Sequence, residues 1–480
     1  MKVLVLEAST TSAKAMLYSE DAGVLAVQTL PYDSSISDVY THDPDRLFAC
    51  LMQVGSQVVA GAKVDAIALV GSWHTVMACD SQFHPLSRII TWNSPLARTT
   101  AVRVRNNVDL GTALYRTTGC MPHAIYPLYM ICSLRDAGLA DSKVRFCAED
   151  AYIFHCMTGK WCATVSSASG ASLLDIRQLE YGRLPLDVAG ITLQQLPSLC
   201  DHTYAAPLNR SSAKLLGLPA GTPVCASSPD GAMNQLGCSA LSPGNMTLSV
   251  GTSAAVRMVS LTANTDNLNG NWCYYGPLAW LHGAATSGAG NCIDWYLHNL
   301  IASYSFEEIE QSLTIQKDTP GFLPFLYGER CPGWNDSAKG VFFGLLGKHT
   351  VWDMYVSILE GILFQLTQCF QKLCDQQGPP NSVSLSGGIL KSRFWTNMLV
   401  DILGLPVTLF HAEQASMLGG AAIALHWLGC LPSLDAFSAH GESGTLLMPN
   451  TDVTELYQTR YLNWQRWYNA LQINSSQMDP

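Results

Sequence analysis

Twice along this 480-residue chain, a short apolar run enters a turn built of hydroxyl side chains and leaves as a second short run. The first instance is Glu7-Ala8-Ser9-Thr10-Thr11-Ser12, between residues 2–6 and 13–18. The second is Val250-Gly251-Thr252-Ser253, between residues 246–250 and 254–259. Each predicts a hairpin of two short strands. The first hairpin is followed by a third β-type run at 24–30, which extends it into a meander. Asp43-Pro44 then offers a capping residue and a first-turn proline, with Leu47, Leu51, Val54 and Val58 at helical spacing and a strand at 64–70 behind them. In the second half a strand at 223–227 precedes the hairpin. A long helix over about 352–374 follows it, with Leu359, Ile362, Leu366 and Phe370 on one face. Beyond lie a strand at 383–385, a helix from near Ser392, a strand at 407–410 and a helix from about Ser416. Strands alternating with helices predict an α/β chain of two weakly repeated halves. The glycine, serine and proline of 236–244 put the boundary there, giving domains 1–240 and 241–480.

Composition narrows the function. At 48% hydrophobic and 13% charged residues the chain must bury large cores, which excludes a disordered protein. No uninterrupted apolar stretch reaches the length of a membrane span, and the start MKVLVLEAS lacks the pattern of a signal peptide, so a cytoplasmic protein is expected. The 16 cysteines are scattered without a Cys-x-x-Cys pair, which predicts small core residues rather than a metal framework. A net charge of −10 with no Lys/Arg run excludes a nucleic-acid surface.

Nucleotide-fold and hydrolase signatures (Gly-x-Gly-x-x-Gly, Gly-x-x-x-x-Gly-Lys-Ser/Thr, His-Glu-x-x-His, Gly-x-Ser-x-Gly) are absent. What remains is the pair of turns, whose backbone N–H groups and hydroxyls could surround phosphate oxygens without positive charge. Serine and threonine are also ordinary turn formers. Asp230, in Ser227-Ser228-Pro229-Asp230-Gly231, falls at the carboxyl end of a predicted strand, where it could take a proton from a substrate hydroxyl. Pro-Asp-Gly is equally a common turn. Gly387-Gly388, between a strand and the helix that Ser392 could cap, would let the backbone lie against a flat ligand. Gly71-Ser72-Trp73-His74 ends another strand and could meet a small polyhydroxy ligand.

In this order the pieces resemble the FGGY carbohydrate kinases, nearly end to end. Residues 6–14 are similar to that family's first phosphate motif, 228–237 to its catalytic-aspartate segment and 248–253 to its second phosphate motif; 283–295, 324–330 with Pro332 and Trp334, 338–346, 358–362, 385–394 and 416–422 also match. Ser228-Pro229-Asp230-Gly231, His74 and Tyr115-Arg116-x-x-Gly119 look closest to the gluconate-kinase branch, with xylulokinase next. The resemblance implies two ribonuclease-H-like domains flanking a catalytic cleft, and an enzyme that uses ATP and magnesium to phosphorylate a small sugar, polyol or sugar acid. The first domain would bind sugar and the second nucleotide. Asp230 would be the base and touch the metal, and Glu7 would stand where the family has its metal-ordering Asp. Thr10, Thr11, Ser12 and Lys14 would face the terminal phosphates with Gly251 and Thr252 opposite. Gly290, Asp294, Gly387, Gly388 and Ser392 would lie along adenosine; Trp73, His74 and Ser94 would meet the sugar. A homodimer is also implied.

Four departures stand out. Glu7 is a methylene longer than Asp, and Ser9 replaces a glycine. The family's Trp-x-Asp, often followed by Arg, becomes Trp92-Asn93-Ser94-Pro95-Leu96, and a commonly basic position is Met130. With so few charges in the chain, neighbours are not expected to replace those lost. The same departures suit a degenerate member that binds sugar or nucleotide without turnover. A ribonuclease-H-like ATPase of the actin and chaperone type is the third reading, against which segments 329–330 and 338–346 speak.

Overall fold

The computed structural model describes residues 1–475 except 267, 302, 303, 305, 316, 317, 411–413 and 438–443. Its body is two mixed sheets. The first has six strands in the order Ala205–Pro207, Pro223–Pro229, Ala66–Gly71, Lys2–Ala8, Ser12–Ser19 and Gly23–Pro31. Lys2–Ala8 lies within it, antiparallel to Ser12–Ser19 and parallel to Ala66–Gly71. Its side chains alternate between faces, so Val3 and Val5 enter one core while Leu4 and Leu6 enter another. That explains why this strand reads as a continuous apolar run.

The second sheet repeats the pattern in seven strands: Trp272–Tyr275, Trp280–Ala285, Ala254–Ser260, Asn245–Val250, Ser382–Ser386, Val407–Leu409 and Thr445–Leu447. Asn245–Val250 is antiparallel to Ala254–Ser260 and parallel to Ser382–Ser386, as Lys2–Ala8 is to its own neighbours. Each sheet closes on a short antiparallel edge strand, Ala205–Pro207 or Thr445–Leu447. The result is an α/β protein of two like domains.

The helices start where the sequence says they should. Pro44–Val59 is capped by Asp43, whose carboxylate accepts from Arg46 N, and Pro44 occupies the first turn. Val351–Gln377 begins with a reciprocal Thr350/Asp353 capping box. Arg393–Leu403 is capped by Ser392. After the sixth strand of each sheet in chain order, Pro223–Pro229 or Val407–Leu409, comes a helix, Asp230–Gly237 or Ala415–Trp427, and these two join the halves. A Cβ on Gly237 would lie 1.9 Å from the Ala415 carbonyl, and one on Gly419 2.1 Å from the Met233 carbonyl, so the helices cross at glycines.

Among the elements that went unforeseen are the edge strand Ala205–Pro207, the strand Trp272–Tyr275, and the terminal helix Thr451–Ser475, whose Trp464 Nε1 donates to the Phe322 carbonyl at 2.8 Å. All 16 cysteines are free, most of them buried. Among the described residues no helix is long and apolar enough to cross a membrane.

Candidate active site

The carboxyl ends of the parallel strands in both sheets open on one cleft of about 840 Å³. Its walls include both hairpin turns, the ends of Ala66–Gly71 and Pro223–Pro229, and Ser386 to Gly388. This is the edge where α/β sheets place ligands.

The two turns close alike. Ser9 N donates to the Ser12 carbonyl at 3.0 Å, and Gly251 N to the Ser253 carbonyl at 2.9 Å. Thr10, Thr11, Gly251 and Thr252 line the cleft. Thr10 is steadied from outside by Trp92 Nε1, which donates to its hydroxyl at 3.1 Å, and by His42 Nε2, 3.0 Å from its carbonyl. The second turn is held through its backbone: Gly290 N donates to the Gly251 carbonyl at 2.8 Å and Asn291 N to the Thr252 carbonyl at 3.2 Å. Gly387, at φ 99°, brings its chain so close that a Cβ would sit 2.5 Å from the Val250 carbonyl.

Asp230 is the first residue of helix Asp230–Gly237, not part of a free turn, and it lines the cleft. Its Oδ1 accepts from Gly231 N at 2.7 Å. Burial, and then the charge of Glu7, raise its pKa above the ordinary carboxylate range, with Arg257 and Lys14 pulling the other way. Glu7 is buried beside it. Lys14 Nζ reaches Glu7 Oε1 at 2.9 Å, and Ser416 Oγ, from the other domain, donates to Oε2 at 2.6 Å.

The far end is aromatic. Trp272 stacks on Tyr274 at 4.1 Å, and Trp73 lies 5.0 Å from Tyr274. His74 Nδ1 is 2.6 Å from the Gly170 carbonyl, so Nδ1 carries the proton and Nε2 is left as an acceptor near Tyr274 Oη at 3.5 Å. Burial, then the charge of Arg330, lower the pKa of His74 to about 3 and keep it neutral.

Family models decide the kinship. The model described as "FGGY family of carbohydrate kinases, N-terminal domain" matches residues 2–237, and its C-terminal counterpart matches 246–428. The chain belongs to the FGGY family of carbohydrate kinases. As such it is an ATP-dependent phosphotransferase. It is 26% identical over 487 residues to the gluconokinase of Bacillus subtilis (strain 168), covering 95% of this chain and 93% of that protein. Its fold matches a ligand-bound xylulose kinase from Lactobacillus acidophilus at a TM-score of 0.93 and 24% identity, with 100% of both chains covered. A gluconate kinase from the same organism matches at 0.91 and 24%, also over 100% of both chains.

Several family-like positions of this FGGY kinase lie off the cleft wall. Ser12 turns inward, its hydroxyl 3.0 Å from that of Ser9. Ser94 caps the short helix Pro95–Ala97. Gly290 and Ser392 act on backbone and cap, and Ser392 Oγ also donates to Glu310 at 2.6 Å. Asp294 is exposed on the helix behind the second turn. Ser9, by contrast, lines the cleft as it closes the first hairpin, its hydroxyl donating to the Ser12 carbonyl at 2.9 Å.

Other cleft residues escaped the sequence reading: Trp272, Tyr274, Asn234, Lys391, and above all Arg257 and Arg330. The expectation that lost charges go unreplaced is therefore corrected for the cations alone; among the described residues only Glu7 and Asp230 bring carboxylates to the cleft, and none stands in for the acid missing at Ser94. Met130 is buried in the core, and two arginines from the second domain stand in the cleft instead. An arginine in the alternating strand Ala254–Ser260 reads as a solvent-face residue; only the closure of the other domain over that face reveals otherwise.

Proposed function

We propose that this kinase transfers the γ-phosphoryl group of ATP to a hydroxyl of a small sugar, polyol or sugar acid, gluconate- or xylulose-like, with Asp230 as general base. One observation supports this most: a half-buried carboxylate of raised proton affinity stands where the hydroxyl-rich turns and the aromatic end of the cleft meet. Asp230 takes the acceptor proton as the hydroxyl oxygen attacks phosphorus and the bond to the ADP oxygen breaks. Thr10, Thr11 and Lys14 serve the terminal phosphates from one side, Gly251 and Thr252 from the other. Gly387 and Gly388 lie toward adenosine, with Gly290, Asp294 and Ser392 supporting that side from behind. Trp73 and neutral His74 orient the acceptor, the His74 Nε2 accepting a hydrogen bond from one of its hydroxyls. The first domain thus holds mostly the acceptor and the second mostly the nucleotide.

The residues present fit a magnesium ion. Glu7 and Asp230 are close enough for one charge to raise the other's pKa, and among the described residues no group of three or more His, Cys, Asp or Glu could cage a metal. A pair of carboxylates suits an ion that takes its remaining ligands from phosphates and water. When bound, such an ion neutralises charge on the phosphates. Glu7 and Asp230 would hold it.

Coupled ADP release over gluconate, xylulose, ribulose and glycerol tests the reading. Magnesium-dependent turnover on at least one is expected. ATP binding by calorimetry with turnover on none overturns it in favour of a regulator that only binds.

A further inference from the structure

Two guanidinium groups stand at the acceptor end of the cleft, and among the described residues no carboxylate pairs with either of them directly. Arg257 lies two residues after Ala255 on the same strand face, and both line the cleft. Its Nη1 donates to Ser249 Oγ at 3.0 Å. Its Nε lies 3.2 Å from where a Cβ on Gly231 would be, a place that the Trp73 ring also approaches, to 2.5 Å. Arg330 is delivered by its neighbour Cys331, whose N donates to the Ala285 carbonyl at 3.0 Å; Ala285 is the register partner of Ala255. The Arg330 guanidinium lies over the Trp92 ring, 5.7 Å from its centre.

Both groups are short of partners. The Nε of each is buried and makes no hydrogen bond, and among the described residues neither arginine forms an ion pair. Burial lowers the proton affinity of Arg257; Asp230 opposes this, and the charge of Arg330 adds to it, so the two cations feel each other. Like charges that feel each other in a partly buried site are unfavourable unless an anion joins them, and a planar carboxylate matches the guanidinium fork.

We propose that Arg257 and Arg330 together bind the carboxylate of a sugar acid, so that the acceptor is an aldonic acid rather than a neutral sugar or polyol. This rests on the reading of the cleft as a kinase acceptor site. Trp73, His74 and Asp230 come from the first domain and both arginines from the second. The acid therefore bridges the domains, its hydroxyls toward the base and its charged end on the opposite wall. The same arginines could instead serve the phosphoryl group in transfer, which is also an anion; the test separates the two.

Calorimetry on the unaltered protein compares gluconate with its neutral analogues gluconamide and glucitol, and coupled ADP release is followed in parallel. Gluconate is expected to bind about 100-fold more tightly than either neutral compound, because the site's charged donors are left unanswered by them. Arg257→Met and Arg330→Met should shrink that ratio below tenfold, and Arg257→Lys should restore part of it. A ratio below tenfold in the unaltered protein, which needs no variant to fold, overturns the inference. So do variants that slow transfer to gluconate and glucitol by the same factor while the binding ratio stays put, since the arginines would then serve the phosphoryl group. If gluconate binds with the expected selectivity but no ADP is released, the kinase reading falls and the carboxylate site stands.

Discussion

The two hairpin turns are the same device built twice, and they differ in what holds them. In the first, Glu7 faces Lys14 across the ladder. At the matching place of the second, Ser249 faces Ala255. The first turn is thus charged, and it is anchored by side chains: Trp92 and His42 on Thr10, Ser416 on Glu7. The second is neutral there and hangs by its carbonyls from the start of helix Gly290–Leu300. The fold repeat preserves the backbone track of the turn but leaves the carboxylate–ammonium pair to one copy; the cation of the second hairpin, Arg257, stands farther along its strand and donates to Ser249. The division suits a site in which both turns supply amides and hydroxyls and only the first sets a carboxylate beside them.

Breaking the charged turn should cost most. Glu7→Gln keeps the shape but removes the charge that Lys14 answers; a loss of roughly 2–3 kcal/mol of transition-state stabilisation is expected, about 100-fold in kcat/KM, with a raised magnesium requirement. Steady-state kinetics across a magnesium titration measure it. An unchanged profile would erase the distinction between the turns.

The neutral turn should fail more mildly and through position. A Cβ on Gly290 would lie 2.7 Å from the Gly251 carbonyl, so Gly290→Ala must push the turn out of place. About a tenfold rise in KM for ATP is expected, with a smaller change in kcat and no change in magnesium dependence.

The smallest effect sharpens the contrast through pH. Burial works against the charged form of His42, but Glu149 at 3.0 Å and the Thr10 carbonyl outweigh it, and the pKa is raised net. A raised histidine stabilises the fold fully below its unfolded pKa, and that contribution is lost as pH rises through the folded value. Thermal midpoints of the unaltered protein should therefore lose about 1–3 °C more between pH 6 and 8 than those of His42→Gln. Equal slopes would show that the first turn has no titratable anchor.

Much of this architecture could be read from the chain. Asp43-Pro44 and Ser392 announce their helices because capping is local chemistry, and the Val3 to Leu6 run announces a central strand because two cores share it. The hydroxyl turns, Asp230, Trp73 and His74 were visible for the same reason: each sits at the end of its own strand and needs no partner to be noticed. Arg257 was not, since whether a strand residue faces water or a cleft depends on a domain a hundred or more residues away. Ser94 and Asp294 show the converse. They occupy family-like positions in the chain, yet one is spent on a cap and the other stands exposed behind the turn.

Single-turnover phosphoryl transfer by Asp230→Asn, with ATP and acceptor affinities measured alongside, addresses the central claim most directly. Asparagine keeps the size and can still accept from Gly231 N, but it cannot take the acceptor proton. The transfer rate is expected to fall about 1,000-fold while both affinities stay within about threefold of the unaltered protein. Transfer within tenfold of the unaltered rate would contradict the assignment of Asp230 as the base.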